Sequence, residues 1–86
     1  MDLQEKVTRI LENAFHPEQI VLEDDDDGMI GYLISSRFSG MNSIDRQGLI
    51  YDALRAKEAN LSKAELRRIL AISPVTPEEY AVHSPD

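Results

Sequence analysis

The sequence predicts a single α+β domain, and three observations carry that expectation. A segment with helical hydrophobic spacing opens the chain, two alternating segments follow it across an Asp-Gly turn, and further helix-period segments precede a last strand-like run. The length of 86 residues suits one domain, and a chain of this size buries only about 60–65% of the surface its unfolded form exposes. A hydrophobic content of 42% is ordinary for a globular protein and too high for a wholly disordered one.

The elements follow in order. Leu3, Val7, Ile10, Leu11, Ala14 and Phe15 fall on one helical face, with Asp2 placed to cap the helix and Glu5 three residues later. His16-Pro17 ends it, and a histidine there suits the negative end of the helix dipole. Ile20 to Glu23 is short and β-branched, while Gly28 to Phe38 alternates Ile30, Tyr32, Ile34, Ser36 and Phe38 against Met29, Gly31, Leu33, Ser35 and Arg37. These read as antiparallel strands joined by Asp24-Asp25-Asp26-Asp27-Gly28, which is turn chemistry. Gly40-Met41-Asn42 breaks the second strand. Asn42 or Ser43 then caps a helix with Ile44, Leu49, Ile50, Ala53 and Leu54 on its apolar face, running to about Glu58. Ser62-Lys63-Ala64-Glu65 fits a capping box and opens a third helix with Leu66, Ile69 and Leu70 on its apolar side. Leu70-Ala71-Ile72 to Val75 reads as the last strand, placed by Pro74 where a missing N–H is tolerated. Thr76-Pro77-Glu78-Glu79-Tyr80 is one short helical turn with a capping hydroxyl and acids at its positive end. The domain is expected over residues 1–80, with residues 81–86 as a flexible tail.

Composition removes several function classes. There is no cysteine, hence no disulfide framework, thiolate metal site or cysteine nucleophile. The first residues lack the basic and apolar regions of a signal peptide and no long apolar run follows, so a cytoplasmic chain without a membrane span is expected. No histidine is flanked by a plausible nucleophile, Ser35, Ser36 and Ser39 have no nearby base, and carboxylates cluster only in a turn; catalysis is not expected. The formal net charge of −7 opposes nucleic acid and anionic membranes at long range. That charge is uneven. Between Asp45 and Leu70, the six bases Arg46, Arg55, Lys57, Lys63, Arg67 and Arg68 outnumber the four acids Asp45, Asp52, Glu58 and Glu65, a local +2 against −9 elsewhere.

Each chemical motif has a plain structural counterpart. The aspartate run is similar to the start of a calcium-binding loop, but with Gly28 at the sixth position the twelfth is Ile34, where a bidentate Glu is required; a solvated turn is the expectation. Gly28-Met29-Ile30-Gly31 matches a KH phosphate-binding loop, yet it opens a strand instead of joining two helices. His16 and His83 have no third ligand nearby in sequence, so neither a metal nor a cofactor is expected. Tyr51 and Tyr80 read as half-buried packing residues. Arg46, Arg55, Lys63, Arg67 and Arg68 are the candidate binding residues: a solvated helical face, a protein-docking patch, or a nucleic-acid contact that the net charge disfavours.

The element order, together with Arg37-Phe38-Ser39-Gly40 leading into Asp45-Arg46-Gln47-Gly48-Leu49-Ile50-Tyr51, resembles the BolA family, in which a strand ends in Phe-x-Gly and leads into an Arg-His helix. Arg68-Ile69-Leu70-Ala71-Ile72 through Thr76-Pro77-Glu78-Glu79-Tyr80 resembles that family's closing strand and its Thr-x-x-Glu-aromatic ending. The resemblance covers roughly Val7 to Tyr80. It implies a class II KH-like αββααβ domain, a three-stranded mixed sheet with helices packed on one face through Val7, Ile10, Leu11, Ile44, Ile50 and Leu54. It also implies a regulatory or adaptor role with a monothiol glutaredoxin-like partner, shared iron–sulfur clusters and, in some members, DNA binding. The departures are chemical. The Arg-His pair is here Arg46-Gln47, the histidine before the closing strand aligns with Arg68, and the hairpin carries aspartates where a His or Cys ligand often stands. A cluster needs soft thiolate or imidazole ligands, and a guanidinium cannot serve. Extra chain between Leu54 and Arg68 implies a longer second helix or an added turn. Two readings follow: an interaction module that docks a glutaredoxin-like or iron–sulfur assembly partner without supplying ligands, or a nucleic-acid-binding regulator using the basic region of the second and third helices.

Overall fold

The structure, a computed structural model, describes residues 2–83 of the chain. Seven main elements run in the order α1 (Leu3–Phe15), β1 (Gln19–Asp25), β2 (Gly28–Ile34), α2 (Ser43–Arg55), α3 (Lys63–Arg68), β3 (Ile69–Val75) and α4 (Pro77–His83). The sheet order is β1-β2-β3, with β1 antiparallel to β2 and β3 parallel to β2. The expected three-stranded mixed sheet is present, and β3 lies at its edge, where Pro74 costs no ladder bond to a further strand.

Local chemistry sets the boundaries. Asp2 caps α1 by accepting from the Glu5 N–H at 2.8 Å, and His16 ends it in the left-handed region at φ 46° with its own N–H on the Glu12 carbonyl. At the hairpin, Asp25 Oδ1 accepts from the N–H groups of Asp27 and Gly28 at 2.9 and 3.2 Å. Gly28 follows at φ +141°, where a side chain would also meet the Arg68 carbonyl and Leu70. Asp26 and Asp27 thus form the turn, with Asp25 accepting from it at the end of β1, while Asp24 already pairs with Met29 in the ladder. Asn42 caps α2 through the Asp45 N–H at 2.8 Å. Ser62 and Glu65 form the expected capping box of α3, with reciprocal bonds of 3.0 and 2.9 Å.

Five boundaries differ from the sequence expectation, the first being that of β1, which extends beyond the expected Ile20 to Glu23 and runs from Gln19 to Asp25. The alternation through Phe38 does not remain a strand: β2 stops at Ile34, and Ser36–Phe38 forms a 3₁₀ turn. Ser35 competes with the ladder by accepting from the Arg37 N–H at 3.1 Å, and the tighter turn drives Phe38 fully inside. α2 ends at Arg55, short of Glu58, because Ala56 is extended and a 3₁₀ turn over Lys57–Ala59 follows. The extra chain is therefore an added turn, which returns Leu61 to the edge of the core. β3 begins one residue earlier than expected, so Ile69 belongs to it instead of the third helix, and Leu70, expected on both, lies in the strand. Finally, α4 continues past Tyr80 to His83, where a loose tail is the expectation; residues 84–86 of that tail lie outside the described residues.

The core joins Val7, Leu11 and Phe15 of α1 to Met29 and Leu33 of β2, Ile50 and Leu54 of α2, Phe38 and Ile72. α1 and α2 thus cover one face of the sheet, as expected, with Ile10 partly buried against the same cluster. Ile44 is a correction. It is 83% exposed, because it lies roughly 120° round the helix from Ile50 at 3.6 residues per turn, and Arg46, about one turn before Ile50, takes the inward side instead. α4 lies at the end of β3. Its Tyr80 meets Tyr32 edge-on at 5.4 Å, and Tyr32 points away from Met29 and Leu33 by the alternation of β2.

Candidate partner-docking site

The candidate basic residues arise on α2 and α3, and the structure sorts them into two groups. Arg46, on the inward side of α2, is not a surface contact. Its guanidinium forms a two-pronged pair with Glu79 at 2.6 and 3.2 Å, donates to the Met41 carbonyl at 3.0 Å and the Pro74 carbonyl at 3.2 Å, and lies 5.9 Å from the Phe38 ring centroid. The Glu79 carboxyl is pulled down to about 2, first by the Arg46 hydrogen bond and next by the Thr76 N–H. Arg46 therefore clamps α2 to the start of α4. Arg68 is likewise engaged. It donates to Asp24 Oδ1 at 2.7 Å and to the Asp25 carbonyl at 2.9 Å, tying the end of α3 to the acidic hairpin. The Asp24 hydrogen bond holds its protonated form further beyond the ordinary arginine value, followed by the charges of Asp24, Asp25 and Asp26.

Arg55, Lys63 and Arg67 form the second group. All three are exposed, they share one depression with Leu66, and among the described residues none has a carboxylate within 4.0 Å. Arg55 stacks over the ring of Tyr51, 4.1 Å from its centroid, one turn apart on α2. The last turn of α2 and the start of α3 bring these cations together. Lys57, on the 3₁₀ turn between them, does not line the depression.

Beside these cations runs an apolar groove between α2, α3 and β3. Its floor is Ile50, Leu54, Leu66, Ile69, Leu70 and Ile72, its rim is Gln47, Tyr51 and Arg55, and its cavity volume is about 260 Å³. Arg55 and Leu66 line both depressions, so floor and cations are continuous. Two of these residues depart from the sequence expectation. Tyr51 is 55% exposed instead of half-buried, since the phase that buries Ile50 turns its neighbour outward. Leu70 is also 55% exposed: the ladder pairs Met29 with Ile69 and Ile30 with Ala71, leaving Leu70 as the extra, unpaired residue of a bulge. No sequence signal marks that bulge. Tyr80, by contrast, is half-buried as expected.

His16 is exposed at the end of α1, and among the described residues no three of His, Cys, Asp and Glu converge on a metal position. Gln47 and Arg68 stand where the resemblance places the family's histidines, one a neutral amide on the groove rim and the other a guanidinium held by the hairpin. This donor set does not fit a cluster, which takes soft ligands.

No family sequence model matches the chain, and no curated protein matches it by sequence. Solved structures do. BolA1 from Arabidopsis thaliana superposes with a TM-score of 0.72 at 26% identity over 99% of both chains. The chain has the fold of the BolA proteins and is similar to them over nearly its whole length. A bol-like protein from Babesia bovis matches this BolA-like chain at TM-score 0.66 and 25% identity, covering 95% of it and 93% of the other. The BolA domain of SufE1 from Arabidopsis thaliana matches at TM-score 0.67 and 25% identity, covering 87% and 92%. Among the described residues, no helix is long and apolar enough to cross a membrane.

Proposed function

We propose that this BolA-like chain is a non-catalytic interaction module, an adaptor that docks a partner of the glutaredoxin-like or iron–sulfur assembly kind through the α2–α3–β3 groove without supplying a cluster ligand. The groove carries this reading. It sets Leu70 and Tyr51, each 55% exposed, with Leu66 beside three cations that no carboxylate neutralises among the described residues, so apolar surface and unpaired charge stand open side by side. One structural relative occurs as a domain of a longer protein, which fits modular use. Gln47 and Arg68 leave the docking face without a soft ligand.

The test is reconstitution of the chain with a monothiol glutaredoxin, iron and sulfide. A stable complex whose cluster spectra are unchanged by His16→Ala and His83→Ala is the expected result. A histidine-ligand signal that either substitution removes, or the absence of any complex, would overturn the proposal.

A further inference from the structure

We infer that the groove takes a short acidic segment of a protein partner, one that sets an apolar side chain on the Leu54, Leu66 and Leu70 floor and directs flanking carboxylates to Arg55, Lys63 and Arg67. The inference rests on the docking reading above and adds the chemistry of what docks. The floor alone would accept any apolar residue, but the charge beside it is specific. Arg55, Lys63 and Arg67 are exposed and without a carboxylate partner among the described residues, whereas Lys6, Arg46 and Arg68 are each paired within the fold; Arg9, Arg37 and Lys57 also lack a carboxylate within 4.0 Å among those residues but do not line the groove or its cationic depression. On a chain with a formal charge of −7, this is where an acidic segment meets attraction instead of repulsion. The same field selects orientation, since an acidic segment approaching the Asp24–Asp27 hairpin is turned away. Phosphates would also meet the three cations, yet a phosphate backbone leaves the apolar floor uncovered. The floor's exposed Leu70 and the rim's exposed Tyr51 are the apolar surfaces an inserted side chain would meet.

The experiment is selection of phage-displayed random dodecapeptides on the immobilised full chain, followed by anisotropy with the synthesised winners at physiological salt. Enriched peptides are expected to place Asp or Glu on both sides of Leu, Ile, Phe or Trp. Lys63→Glu with Arg67→Glu should weaken their binding by at least about tenfold, and Leu70→Ala, at an exposed position that leaves the fold intact, should weaken it severalfold. Lys57→Glu is the control, since it makes the same charge change per site as Lys63→Glu but lies outside the groove; an effect within about twofold is expected there. Enrichment of basic or uncharged peptides, no enrichment, equal effects at Lys57 and Lys63, or tighter binding of a duplex DNA oligonucleotide would each overturn the inference. A monothiol glutaredoxin that binds the natural chain and the doubly reversed chain equally leaves the docking proposal standing and overturns this assignment. A glutaredoxin that does not bind, beside an acidic peptide that does so through Lys63 and Arg67, overturns the glutaredoxin reading and supports the acidic-segment assignment.

Discussion

Arg46 shows how a residue with a functional look becomes a structural one. Sequence places it at the start of a basic region, but its helical phase turns it inward, where Glu79 and the carbonyls of Met41 and Pro74 use most of its donors. This pair makes Glu79 an acid-sensitive carboxylate. The folded Glu79 titrates near 2, below its ordinary 4.5, so its contribution is complete above the ordinary value and is lost as pH falls through the folded one. Urea unfolding followed from pH 6 down to pH 2 should therefore show a stability loss that Glu79→Gln diminishes. Parallel losses in the two proteins would show the pair to be thermodynamically silent. Glu65 titrates low for a related reason, the Lys6 hydrogen bond first and the Ser62 N–H next, and it remains as background in both proteins.

At the scale of the element, local contacts at ends and between strands add to the packing of the core. α3 runs only from Lys63 to Arg68, too short to persist alone, and its capping box is the main local force for it. Ser62→Ala removes the acceptor for the Glu65 N–H and should cost about 0.5–2 kcal/mol, read by chemical denaturation and by faster exchange of the Glu65 amide. An unchanged midpoint would mean that packing of Leu66 alone holds the helix. In the sheet, Gly31 lies so close to Val21 and Leu22 that an added methyl would run into the Val21 carbonyl. Gly31→Ala should cost about 1–3 kcal/mol through forced separation of β1 and β2, visible as loss of amide protection along β1. If protection along β1 is retained, the strands have slack that the geometry does not show.

At the scale of the whole molecule, one small core carries the fold. Phe38 is completely buried from the 3₁₀ turn that follows β2, 5.6 Å from Phe15 of α1 and beneath Arg46 of α2. Phe38→Ala should cost about 3–5 kcal/mol, a large share of the roughly 5–15 kcal/mol that stabilises a typical domain. Calorimetry should find the melting temperature lowered by well over about 10 °C. A smaller shift would mean that Phe15, Ile50 and Leu54 collapse into the space.

Local sequence by itself determined where most elements begin, because caps are short-range chemistry: Asp2 with Glu5, Asn42 with Asp45, and Ser62 with Glu65 act within three residues of each other. It also determined the hairpin and the alternation of β2, and these with the Phe-Ser-Gly and Thr-Pro-Glu-Glu-Tyr segments pointed to the BolA-like fold. The candidate site was legible only as a set of cations. Which of them stay available depends on partners far along the chain: Arg46 meets Glu79 thirty-three residues on, and Arg68 meets Asp24 forty-four residues back. The groove had no local signature, since the exposure of Leu70 on its floor follows from a register shift between β2 and β3 and that of Tyr51 on its rim from the rotation at which α2 packs. Register and helix rotation are settled when distant surfaces meet, so only the tertiary structure could separate the arginines that build the fold from the cations left free to bind.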